Sequence, residues 1–225
     1  METETLKLGG GIYTVPEIAL ILGIPKHKVD YWVNAYLKDK FQKQQSYQYH
    51  SDFGRQSVVN FYSLIETYTF FHLKAGGATT KQIIEAHDAL SKHYRTVYPF
   101  AHASILQSGG EILFGEKVGN KEISIARADR SFQLYFTDVI RPFCKKIVFG
   151  KDDLAERYYP MGPDKTVIID PHHQFGQPTV EGTNILVSTI NDLHQAGDSK
   201  RLIKNLYNLS DRQINDAIDY FQRAA

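Results

Sequence analysis

A chain of 225 residues with a formal net charge of +1 and a single cysteine, Cys144, excludes an internal disulfide and a cysteine-rich zinc site. Its 42% hydrophobic and 23% charged residues suit packed cores, and the near-neutral balance means that any nucleic-acid surface must be local. No run approaches the ~18 apolar residues of a membrane span, and the polar start METETLKLGGG is unlike a secretory signal, so a cytoplasmic protein without a membrane partner is expected.

The first elements are helical. Val15, Ile18, Ala19 and Leu22 recur at helical spacing, with Thr14 as N-cap, Pro16 in the first turn and Gly23 as the stop. After Gly23-Ile24-Pro25 a second short helix carries Val29, Trp32, Val33 and Leu37. From Lys40 to Tyr62 the helical period is lost, and SYQYHSDFGRQSVVNFY predicts a small hairpin. A longer helix follows over 63–74, AGGAT breaks it, and Ile83, Ile84, His87 and Leu90 mark another over 80–94.

The middle region is less regular. EILFGEKVG and KEISIA alternate like short strands, and KKIVFGKDD ends a third. Phe132, Phe136, Ile140 and Phe143 predict a helix over 129–141, stopped by Pro142. A compact α+β connector with its own small core is expected. Beyond it, TVIID reads as a buried strand, followed by helices over 187–196, 199–207 and 211–224. Ser188, Asp198 or Ser199, and Ser210 are the expected caps; Ser210 and Gln213 have capping-box spacing, and Gly197 closes the first of the three helices. The chain therefore divides into 1–96, 97–164 and 165–225, mainly α within an α+β class.

Two stretches bear on chemistry. In YTVPEIALILGIPKHKVDYWVNAYL, packing of Val15, Ile18 and Leu22 against Val29 and Trp32 leaves Lys26, His27, Lys28 and Tyr31 exposed. A helix-turn-helix needs this: the first helix braces and the second presents its N-terminal residues to the major groove. Between Lys26 and Arg55 six basic residues (26, 28, 38, 40, 43, 55) oppose three aspartates (30, 39, 52). A plain helical hairpin with solvated lysines is the competing reading.

The second stretch, DPHHQFGQPTVEGTNIL, carries adjacent histidines. In an extended segment His172 and His173 point to opposite faces, and no carboxylate or histidine lies at i, i+4 spacing, so a shared metal is not expected. Asp170-Pro171, Gly176 with Pro178, and Gly182-Thr183 read instead as turns, with Gly182 at positive φ or where a Cβ would clash. No Ser/His/Asp set, P-loop, G-x-G-x-x-G or metal box is present, so no catalytic residue, metal or cofactor is expected and the protein is not expected to be an enzyme.

The order helix, turn, helix, hairpin, helix over Tyr13 to about Tyr94 resembles the MerR-like winged-helix family, with GRQSVVNFYSLIE standing for the wing end and the next helix. The resemblance implies a DNA-binding head with Lys26, His27, Lys28, Tyr31, Lys40, Lys43 and Arg55 toward operator DNA. Asp30 stands where that family commonly has a basic residue; a carboxylate there opposes phosphate, and the lysines and Arg55 would have to compensate.

VIIDPHHQFGQPTVEGTNILVSTINDLHQAGDSKRLIKNLYNLSDRQINDAIDYF resembles a small bacterial module with a homeodomain-like trihelical core that occurs in antitoxins of VapB type. Asn184 stands where the module usually has arginine. With VYPFAHAS and YYP in between, nearly the whole chain resembles the long two-headed members of that antitoxin family. The resemblance implies a type II antitoxin that silences a PIN-like ribonuclease toxin and represses its own operon, as a dimer or larger homo-oligomer. Lys200, Arg201 and Lys204 are candidates for pairing with an acidic toxin site, and equally a solvated face. The alternative is a stand-alone MerR-like regulator whose middle region senses a ligand or dimerises.

Overall fold

The computed structural model describes residues 10–41, 50–53, 56–103, 114–118, 121–124 and 144–223; for 38–41, 50–56, 93 and 114–124 the description is of the backbone only. Strand β1 (Tyr13–Thr14) leads directly into α1 (Val15–Leu22). The Glu17 carboxylate accepts from the Thr14 backbone N–H and hydroxyl, both at 2.7 Å, which satisfies donors the helix start leaves open. Gly23 ends the helix in the left-handed region at φ 65°, its N–H donating to the Ala19 carbonyl. After Pro25 comes α2 (Lys26–Trp32), which continues into a wider π-helical segment over Val33–Phe41.

The expected hairpin forms from β2 (His50–Phe53) and β3 (Gln56–Val59), antiparallel with Phe53 opposite Gln56, and β1 adds to its other edge with Tyr13 opposite Val59. Helix α3 (Phe61–Ala75) begins two residues earlier than its apolar period suggests, because Asn60 accepts from the Ser63 N–H at 2.8 Å and sets the boundary. Helix α4 (Thr80–Tyr94) spans the expected residues, with Thr79 and Gln82 capping each other. In the middle region the described strands pair as hairpins, β4 (Phe114–Val118) with β5 (Lys121–Ser124) and β6 (Ile147–Phe149) with β7 (Ala155–Tyr158). The helix expected over 129–141 lies outside the described residues.

Strand β8 (Val167–Ile168) pairs with β9 (Thr179–Val180), and α5 (Val187–Gln195), α6 (Lys200–Tyr207) and α7 (Asp211–Gln222) follow. Ser199 and Ser210 cap α6 and α7 as expected, each accepting from the backbone N–H three residues on. Ser188 does not cap α5. Leu186 is the N-cap, held extended by a β-bridge to Thr179, and the Val187 N–H donates to the Pro178 carbonyl at 2.9 Å. A long-range carbonyl does the work expected of a local hydroxyl.

The molecule is mixed α and β and mostly helical, an α+β fold with small antiparallel strand pairs. One core is built on Ile18, Val29, Trp32, Phe61, Leu64 and Ile83, and it takes in Phe100, Ala101, Ile147, Ala155 and Tyr158 from the middle region. Phe100, Ala101, Ile147, Ala155 and Tyr158 thus pack in one cluster with residues of the first helices, while Met161 packs against the second core. A second core joins Val167 and Val180 to Val187, Ile190, Ile203, Ile214 and Tyr220 of the three last helices.

The two cores are tied at α1. Leu20 packs on the second core, Gln177 Nε2 donates to Glu17 Oε1 at 2.8 Å, and Ile12 N–H donates to the Phe175 carbonyl at 3.0 Å. Arg223, at the end of α7, donates from Nη2 to the Ile21 carbonyl at 3.1 Å and from Nη1 to the Pro160 carbonyl at 2.6 Å. It supplies from the far end of the chain a donor for a carbonyl in the last turn of α1. Tyr13 lies fully buried with its ring against Gly11 and Gly176, where a Cβ on Gly176 would overlap the phenol.

Candidate nucleic-acid interface and the two basic faces

Helix α2 is amphipathic because only Val29 and Trp32 turn inward. Val29 is fully buried, and Trp32 stacks on Phe70 of α3 with ring centroids 3.5 Å apart while its Nε1–H donates to Thr67 Oγ1 at 3.1 Å. Burial of an indole with its N–H satisfied fixes the rotation of α2 about its axis. The opposite face then carries Lys26, His27, Lys28 and Tyr31, all exposed. None of the three basic side chains is paired with another described residue. Lys40 belongs to the π-helical segment, and Lys43 and Arg55 lie outside the described residues.

The π-helical turns align residues five apart. Tyr31 and Tyr36 meet edge to face at 5.7 Å, and the hydrogen bond with Tyr36 raises the Tyr31 phenol above its ordinary value. Trp32 and Tyr36 stack at 5.0 Å. Asp30, the departure from a basic residue, is not idle. Asn34 Nδ2 donates to its carboxylate at 3.2 Å and to its carbonyl at 3.0 Å, and Ser57 Oγ donates to Asn34 Oδ1 at 3.3 Å. This chain of hydrogen bonds connects α2 to the hairpin strand β3. The role was not visible in the sequence, where Asp30 and Ser57 are separated by the hairpin.

The second basic face, on α6, is organised differently. Lys200 Nζ donates to Asn215 Oδ1 at 2.7 Å, and Lys204 pairs with Asp211 Oδ2 at 2.6 Å. Two of the three candidate toxin contacts therefore brace α6 against α7, while Arg201 is exposed. Sequence reasoning overlooked Leu202 and Leu206 on the same helix, 52% and 64% exposed. Their signal was legible: KRLIKNLY has apolar residues at 202, 203, 206 and 207, yet Ile203 alone is buried.

The histidine stretch is a set of turns. His172 N–H donates to Asp170 Oδ1 and His173 N–H to the Asp170 carbonyl, both at 2.9 Å, while Arg157 pairs with Asp170 Oδ2 at 3.3 Å. Both imidazoles are exposed. Gly182 has φ 77° with nothing near the place of a Cβ, so the conformation and not a clash selects glycine. Thr183 Oγ1 donates to the Val180 carbonyl at 2.8 Å and accepts from Ile185 N–H at 3.1 Å.

A family model described as "Protein of unknown function (DUF433)" matches residues 167–221, from β8 into α7. A protein of Mycobacterium tuberculosis named "Putative antitoxin VapB45" is 27% identical over 176 residues, which cover 74% of this chain and 72% of that protein. A second protein of that organism, "Uncharacterized protein Rv2308", is 25% identical over 231 residues, covering 97% and 93%. The crystal structure of Rv2018 from M. tuberculosis superposes with a TM-score of 0.69 at 20% identity, over 96% of this chain and 98% of that one, which shows a shared fold. The similarity to the protein named "Putative antitoxin VapB45", with the DUF433 match, suggests a VapB-like antitoxin. Among the described residues no helix is long and apolar enough to cross a membrane.

Proposed function

We propose that this protein is the antitoxin of a type II toxin–antitoxin system that binds and silences a PIN-like ribonuclease toxin and represses its own operon. The observation that carries the reading is the similarity to the protein named "Putative antitoxin VapB45" over 74% of the chain. The head, 1–96, acts as a MerR-like winged helix-turn-helix on operator DNA, with Lys26, His27, Lys28 and Tyr31 on the contacting face and Lys40, Lys43 and Arg55 alongside. Its α2 cations, which have no partner among the described residues, support that role, since phosphate neutralisation supplies most of non-specific affinity. The connector, 97–164, and the homeodomain-like trihelical unit, 165–225, offer the toxin-binding surface, with α6 as the candidate contact. The protein acts in the cytoplasm, and a dimer places two α2 helices on successive half-sites.

Co-expression with the product of the adjacent gene, affinity capture and an RNA-cleavage assay test the toxin arm. The expected result is a stable complex without ribonuclease activity, with roughly 1,200–2,000 Å² or more of buried surface. Gel shifts of the full chain with upstream DNA test the operator arm. The full chain is the proper reagent, because the core of the head includes Phe100, Ile147 and Tyr158. Absence of any complex, with operator binding retained, would make the protein a stand-alone regulator.

A further inference from the structure

The turn between α1 and α2 borders a cleft of about 440 Å³ that, Lys28 apart, the roles above leave unused. Three cationic side chains line it: Lys28 of α2, Lys146 just before β6, and Arg223 at the end of α7. Ile24, Tyr68 and Phe71 give it an apolar wall, and no carboxylate is among the described residues that line it. Arg223 is fixed by its bonds to the Ile21 and Pro160 carbonyls, neither of which neutralises its charge. Lys146 is only partly exposed and has no ion pair or side-chain hydrogen bond with a described residue.

Charges of one sign gathered without a counter-charge are costly, and the titrating groups record the cost. Burial and then Arg223 hold the Lys146 ammonium below its ordinary pKa. Burial and then Lys146 push His72, on the same wall, down to about 4. A bound anion would relieve both repulsions at once. The volume lies in the range of small-molecule sites, which combine apolar walls with a few fixed polar groups.

We propose that this cleft binds a small organic anion with a flat apolar body, of the aromatic carboxylate class. The carboxylate sits at Lys146 and Arg223, and the ring lies against Phe71 and Tyr68. The site touches Ile24 and Pro25, so an occupant contacts the turn that sets α2 relative to α1. The inference depends on the cleft alone and holds whether or not the head reads DNA.

Benzoate and its neutral isostere benzamide discriminate charge from shape. With the full chain at constant ionic strength, titrations followed through the ¹H–¹⁵N resonances of Gly23, Ile24 and Ala75 should show saturable shifts with benzoate. Benzamide should bind about tenfold more weakly or worse, a difference of about 1.4 kcal/mol. Lys146→Met, which keeps the apolar stem, should weaken benzoate about tenfold and leave benzamide unchanged, and Lys146→Arg should restore benzoate binding. Equal binding of benzoate and benzamide by the wild type overturns the proposal, as does an unchanged benzoate affinity in Lys146→Met. Failure of benzoate to produce a saturable shift at these amides overturns it as well.

Discussion

Helices α2 and α6 each carry a basic cluster, Lys26, His27 and Lys28 on one and Lys200, Arg201 and Lys204 on the other. On α2 the cations have no described partner, because the buried side, Val29 and Trp32, orients the helix without them. On α6 two of three are engaged by Asn215 and Asp211 of the neighbouring helix. A cation already satisfied inside the fold gains less from an external phosphate or carboxylate, since the old contact is lost when the new one forms. Equal charge in the sequence therefore does not mean equal availability. The head offers charge, whereas α6 offers the apolar pair Leu202 and Leu206 beside Arg201.

The comparison requires that the two cores hold together, and the substitution expected to disturb this most is Gly176→Val. Gly176 has φ 82°, and a Cβ there would overlap the hydroxyl of Tyr13, which is fully buried. A strained left-handed conformation costs about 1–3 kcal/mol and overpacking a similar amount, so a loss of roughly 3 kcal/mol or more is expected in thermal or urea melts. Gly182→Val, strained but unobstructed, should cost less. Equal losses at the two positions would mean that Tyr13 yields freely and that the junction is soft.

Asp216 gives the next largest effect. Its carboxylate is 2% exposed and accepts from Lys165 Nζ at 2.7 Å and from Thr166 N–H and hydroxyl at 3.0 Å, joining α7 to the approach to β8. Burial alone would raise its pKa, but these donors hold it below the ordinary value of 3.8. The stabilisation is therefore complete above that value and lost as the pH falls through the lower folded value. Asp216→Asn should cost about 2–3 kcal/mol near neutrality, the scale of hydrogen bonds to a charged group. Acid melts should separate this from His72, whose pKa is lowered from 6.5 to about 4 by burial and then Lys146. The unfolded chain takes up that proton first, so stability falls between pH 6.5 and about 4. Asp216→Asn should flatten only the loss at still lower pH.

How much of this was readable in advance depends on the range of the interactions. Helix ends at Thr14 and Gly23, at Ser199 and at Ser210 with Gln213 were legible because cap chemistry acts within about four residues. The start of α5 was not, since the bridge from Leu186 to Thr179 and the Pro178 carbonyl define it. The exposed side of α2 followed from its apolar period. The Asp30–Asn34–Ser57 connection did not, and neither did the clasp of Arg223 on Ile21, 202 residues away. The cleft at Lys146 is assembled from five separate stretches of chain, so no local pattern announces it.

The third prediction concerns the α2 cations that have no partner among the described residues. In gel shifts of the full chain, Lys26→Ala combined with Lys28→Ala should weaken binding to upstream DNA roughly tenfold or more and reduce the salt slope by about 2, one unit per lost phosphate contact. Unchanged affinity would remove α2 as the contacting face.

The smallest effect is expected at Lys204, and it sharpens the comparison most directly. Its pair with Asp211 bridges the end of α6 to the start of α7, with the two side chains 41% and 73% exposed. Solvent screening and side-chain entropy leave such pairs worth less than about 1 kcal/mol. Lys204→Ala should lower stability by a few tenths of a kcal/mol to about 1 kcal/mol, and the loss should shrink at high salt. Combined with Asp211→Ala, the two losses should be less than additive, since the pair can be broken only once. If Lys204 is engaged mainly by Asp211, the same variant should change capture of the proposed toxin far less than Leu202→Asp or Leu206→Asp, which place a charge on the apolar face. A Lys204→Ala variant that keeps its melting temperature but loses toxin capture would show that the lysine leaves Asp211 for the partner. The distinction between available and engaged cations would then fail on α6.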